Sequence, residues 1–203
     1  MSFHNLNLHF ASPSAFAAWL ATQAPGTWAT GSTYHNTFKP DEAQWRGHAS
    51  MTTMAGFYAA KGWTTGPHCY LASGTAHDGI WVMTPPTMPG THAGDCNRTR
   101  FGIEVVGDFD QRLMTRAQLV LLVQAATALH RWQDIGPDLV AHRDCMPGRT
   151  CPGNAAYAQK PIIQAMLAAA LMVPPASPAY SEDSPILGLT STTPRSEEHT
   201  SEL

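Results

Sequence analysis

The run from Val140 to Gly153 constrains this chain more than any other. A short apolar stretch, Leu139 to Ala141, delivers His142, and Cys151 follows nine positions later across a loop holding Pro147 and Gly148 and closing on Pro152-Gly153. A strand that ends on an imidazole, with a thiol returned to it by a Pro/Gly loop, forms half of a metal site. The fold must bring a further ligand to that strand end. Far upstream, Thr33-Tyr34-His35-Asn36-Thr37 offers a second imidazole at the end of another strand-like run. Two His and one Cys suit Zn²⁺, and three protein ligands leave a fourth position open. Zinc so held acidifies water to a pKa near 7. The pattern points to a hydrolase.

Other residues compete or cooperate with this set. His142-x-x-Cys145 also has ligand-like spacing, and a site using both Cys145 and Cys151 would have the four ligands of a structural zinc. Glu104 lies inside the apolar strand Phe101-Gly102-Ile103-Glu104-Val105-Val106. Burying a carboxyl is costly. Beside a metal it could take the proton of an attacking water and pass it to a leaving amine. Arg149, two residues before Cys151, is a cation placed to stabilise an oxyanion. His68, His77 and His92 are further candidates. His92, in Gly90-Thr91-His92-Ala93-Gly94, reads as a residue of a flexible loop that touches substrate.

The chain has 203 residues and a net charge of −3, with no basic stripe for a nucleic-acid partner. No window reaches the roughly 18 apolar residues of a membrane helix. The N-terminus carries no secretory signal, so a cytoplasmic location, with any release by lysis or another route, is the expectation. The four Cys (Cys69, Cys96, Cys145, Cys151) could make two disulfides in a secreted protein, but without a signal they are expected to be reduced thiols. Nothing signals an oligomer, so a monomer is expected.

Hydrophobic spacing predicts a helix from Pro13 to about Gln23 and a strand from Ser32 to Thr37. It then predicts a helix from Asp41 to Lys61, with Trp45, Met51, Met54, Phe57 and Tyr58 as its buried stripe. Strands follow at 68–72 and 80–83 around an Asp78-Gly79 turn, and at 101–106. Thr115-x-x-Gln118 is a capping box that opens a helix to about Trp132. A strand at 139–141 and a helix at 162–172 complete the series. Strands alternating with helices predict an α/β single domain with a central mixed β-sheet flanked by helices. Residues 1–30 read as a helical lead-in packed on a zinc domain at 31–172. Residues 173–203 read as a disordered Pro/Ser/Thr-rich tail, whose last nine residues resemble translated adapter sequence.

Four segments, in order, resemble one family: Tyr34-His35-Asn36-Thr37; Thr91-His92-Ala93 with Asn97 and Phe101-Gly102-Ile103-Glu104; Thr115-x-x-Gln118; and Ala141-His142-Arg143-Asp144 leading to Cys151-Pro152-Gly153. The chain resembles the zinc-dependent N-acetylmuramoyl-L-alanine amidases of the type 2 class, which include peptidoglycan recognition proteins. The resemblance runs from about Ser32 to Gly153. It implies one zinc per chain on His35, His142 and Cys151, with Glu104 catalytic and Arg149 in the place of a usual Lys. It also implies a peptidoglycan or muropeptide substrate whose groove Asn36, His92 and Asn97 would line, along with Trp45 or Trp81. Gly66-Pro67-His68-Cys69 lacks the Tyr of lysozyme-type members, so catalysis should lean on Glu104. Some relatives only recognise peptidoglycan and have lost the third ligand, but Cys151 is present here.

Overall fold

Alternation along the strands decides the layout. In the computed structural model, which describes residues 3–174, six strands form one mixed sheet in the order β1-β4-β3-β5-β2-β6. They are β1 (Leu8–Phe10), β2 (Gly31–Asn36), β3 (Cys69–Ala72), β4 (Gly79–Val82), β5 (Arg100–Val105) and β6 (Leu139–Ala141). β1, β4 and β3 pair antiparallel, whereas β3, β5, β2 and β6 run parallel. The expected tail, with its last nine residues, lies outside the described residues apart from its first two, Val173 and Pro174.

Side chains of a strand point alternately to opposite faces. One set, including Tyr34, Leu71, Ile80, Phe101, Ile103 and Leu139, is fully buried. It packs beneath helices α1 (Pro13–Leu20), α3 (Arg116–Gln133) and α6 (Lys160–Met172). Burying such side chains stabilises by about 1.5–3 kcal/mol each. The capping box of α3 is formed, with Gln118 N donating to Thr115 Oγ1 and Thr115 N donating to Gln118 Oε1. On the opposite face, Tyr70, Trp81 and Met83 pack with Trp45, Met51 and Tyr58 beside helix α2 (His48–Ala60). The rest of that face carries His35 and Glu104, which are register partners on adjacent strands.

Three expectations change. The helix foreseen from Asp41 begins only at His48, because Asp41 Oδ1 accepts from Gln44 N at 3.1 Å and Gly47 adopts φ +57°. Of its foreseen stripe, Phe57 is 52% exposed. The helical lead-in contains a strand: β1 adds to the sheet edge through Leu8↔Val82 and Phe10↔Ile80. Trp45 and Trp81 are 0% and 2% exposed, so both are core residues and cannot line a groove. Among the described residues, no helix is long and apolar enough to cross a membrane.

Candidate metal centre

His35 is the fifth residue of β2, on the face that α1, α3 and α6 leave free. His142 opens the short helix α4 (His142–Cys145) directly after β6, which pairs with β2. Cys151 returns on the loop that ends at helix α5 (Asn154–Ala158). One ligand atom from each of these residues lies within 4.8 Å of the others.

The return loop is held at both ends. Arg143 N donates to Cys151 O at 3.2 Å, and its guanidinium donates to Thr150 O and to Asn154 Oδ1. Asp144 accepts from Ala141 N at 2.8 Å and from the Tyr157 hydroxyl at 2.9 Å, and it pairs with Lys160 at 2.8 Å. Gly153 sits at φ +97°, and a Cβ there would lie 2.4 Å from the Phe109 backbone.

The donor set fits zinc on three observations. Cys151 Sγ lies 3.7 Å from His35 Nδ1; ordinary Zn–S and Zn–N lengths at a tetrahedral angle require about 3.6 Å. His142 Nδ1 is buried without a hydrogen-bond partner, while its Nε2 lies 3.3 Å from Met146 Sδ. Buried polar atoms without partners are rare and call for a reason. Burial holds both imidazoles in the neutral form that binds metal: His142 is lowered to about 4, with Arg149 adding to the effect, and His35 lies well below the usual range. Burial raises the Cys151 thiol well above its ordinary range, and Glu104 adds to this. A coordinated metal would reverse that and deprotonate the thiol.

Glu104 completes the cluster. Its Oε1 lies 3.9 Å from His35 Nδ1, and its Oε2 is buried without a partner. Desolvation raises its carboxyl to about 8. Arg149 is exposed and makes no ion pair among the described residues.

Asn36, His92 and Asn97, expected at the substrate, have protein partners. Asn36 Nδ2 donates to Gly107 O at 3.4 Å. His92 bonds through both ring nitrogens, to His35 and to Arg100 O, each at 3.0 Å. Asn97 Oδ1 accepts from His92 N and Ala93 N. His68 is wholly buried, accepting from Gly102 N and facing Met88 O.

The expectation of reduced thiols is corrected. Cys96 and Cys145 form a disulfide between the 3₁₀ turn Gly94–Arg98 and α4. Cys145 is therefore not a metal ligand, and the four-ligand structural site falls with it. Cys69 is a buried free thiol in the core.

A mixed-sheet α/β domain with an open His/His/Cys cluster at the ends of parallel strands is what the geometry defines. The profile of the Amidase_2 family, described as N-acetylmuramoyl-L-alanine amidase, matches residues 25–154, and the chain belongs to that family. Among solved structures, the N-acetylmuramoyl-L-alanine amidase LysC from Clostridium intestinale URNW is 25% identical with a TM-score of 0.56, over 71% of this chain and 94% of that one. Drosophila PGRP-LB is 20% identical with a TM-score of 0.55, over 68% and 82% of the two chains, and shares the fold. A point mutant of Drosophila PGRP-LB, 21% identical over 68% of this chain and 82% of that one with a TM-score of 0.56, was solved in complex with tracheal cytotoxin. No curated protein sequence matches the chain.

Proposed function

We propose that this protein is a zinc-dependent N-acetylmuramoyl-L-alanine amidase. It hydrolyses the amide between the lactyl group of N-acetylmuramic acid and L-alanine, in peptidoglycan or soluble muropeptides, and releases stem peptides. One observation carries the reading: three converging ligand atoms share a sheet face with a buried carboxyl that has an unpartnered oxygen. A recognition surface has no need of such a carboxyl, whereas an amide hydrolase needs a base there.

His35, His142 and Cys151 would hold the metal, which when bound supplies a Lewis acid that polarises the scissile carbonyl and acidifies water. Glu104 takes the proton of the attacking water and delivers it to the leaving nitrogen of L-alanine. A carboxyl raised towards neutral pH by burial is matched to both transfers. Arg149 offers a fixed positive charge to the oxyanion. Its guanidinium keeps its proton, so it stabilises charge without acting as an acid.

The test is incubation with a soluble muramyl peptide while free amine is assayed. Release that stops with a chelator and returns with Zn²⁺ supports the amidase. Tight binding of the same peptide without release, in zinc-loaded protein, would make it a recognition module.

A further inference from the structure

The tautomer of one candidate ligand can be traced from a backbone carbonyl. Arg100 O lies 3.0 Å from His92 Nε2. A carbonyl oxygen has no proton to give, so His92 Nε2 carries the hydrogen. A neutral imidazole carries only one, which leaves His92 Nδ1 as an acceptor. That atom is 3.0 Å from His35 Nε2, which must then be the donor. His35 Nδ1 is left bare, facing Cys151 Sγ at 3.7 Å and Glu104 at 3.9 Å.

We propose that His92 is a positioning residue: anchored on the Arg100 carbonyl, it locks His35 in its Nε2–H tautomer and presents the Nδ1 lone pair to the metal. The inference rests on the zinc reading of the site. The partner of a metal-bound imidazole fixes its tautomer and ring orientation.

Two features hold the relay in register. Asn97 Oδ1 accepts from His92 N at 2.8 Å and from Ala93 N at 2.6 Å, fixing the loop that carries the ring. Gly102, next to Thr33 across β2 and β5, lets the ring lie against the strand, since a Cβ there would meet His92 Cγ at 2.5 Å and Cδ2 at 2.6 Å. The disulfide from Cys96 to Cys145 ties this loop to the helix that His142 opens. One loop thus supports one candidate ligand by hydrogen bonding and a second through a covalent bridge. By contrast, His142 Nε2 faces only the weak acceptor Met146 Sδ.

The test measures zinc affinity by chelator competition in the full chain, with imidazole ¹⁵N NMR on the metal-free wild type. His92→Leu removes the acceptor and should weaken zinc binding about 10–100-fold. His92→Asn keeps an acceptor oxygen where Nδ1 stands and should recover most of the loss. Gly102→Ala leaves every hydrogen-bonding group in place but displaces the ring, and should weaken zinc as His92→Leu does. The NMR should show His35 as the Nε2–H tautomer, and it needs no variant to fold. Wild-type affinity in His92→Leu, or a proton on His35 Nδ1, would overturn the relay. A wild type that binds no zinc would instead overturn the amidase reading, while the tautomer measurement would still decide the relay.

Discussion

Glu104 is paired in register with His35, yet its Oε2 has no partner, and burial raises its carboxyl to about 8 from an ordinary 4.5. Two outcomes follow at the scale of this residue. Glu104→Gln keeps the shape and the candidate metal ligands but cannot move a proton, so turnover should fall about 10²–10⁴-fold with zinc stoichiometry unchanged. Steady-state kinetics beside metal analysis would check this, and wild-type turnover would remove Glu104 from the mechanism. In metal-free protein the folded state keeps this proton where the unfolded chain has lost it. Through this group the native state binds more protons between about 4.5 and 8, and the contribution of Glu104 to stability falls as pH rises through that window. The buried imidazoles act oppositely below about 6.5, His142 and His68 being lowered to about 4 and His92 to about 3. Urea unfolding of the metal-free wild type and Glu104→Gln should diverge progressively from about pH 5 to about pH 8. A constant difference would mean that the burial of Glu104 carries no proton linkage.

Elements were legible where the signal was local. The strand at 139–141, the capping box of α3 and the Gly-Ile-Glu strand emerge as read, because apolar runs and cap residues act over a few positions. The approach to α2 was not. Asp41, Gln44 and Trp45 have helical spacing, but Trp45 is buried by a turn, and Gly47 takes a left-handed conformation against Trp81. A Cβ at Gly47 would lie 2.7 Å from the Trp81 ring, at φ +57°. Gly47→Ala should therefore cost more than about 1 kcal/mol. Chemical denaturation would measure it, and an unchanged midpoint would show that the turn adapts. β1 escaped sequence reading because three residues of an edge strand carry too short a pattern. The hydrogen bonds of His92 and Asn97 escaped for another reason. Their position near the site was readable, but the partners of His92, Arg100 O and His35, come from separate strands.

The sheet order brings distant segments of the chain into one centre: β2 lies between β5 and β6, so His35 meets Glu104 on one side and His142 on the other. The Cys96–Cys145 bridge spans a sequence separation of 49, and no local pattern announces it. By closing a loop of that length it should stabilise by roughly 2–4 kcal/mol. Denaturant unfolding with and without a non-thiol reductant should show the loss, and equal midpoints would mean that the bridge constrains nothing. The central claim is amide hydrolysis, and its most direct measurement is mass spectrometry of peptidoglycan digested by the wild type, by Glu104→Gln and by chelated protein. The expected result is stem peptides with a free L-alanine amino terminus from the zinc-loaded wild type alone. Intact glycan–peptide linkages in every sample, with zinc bound to the wild type, would contradict it.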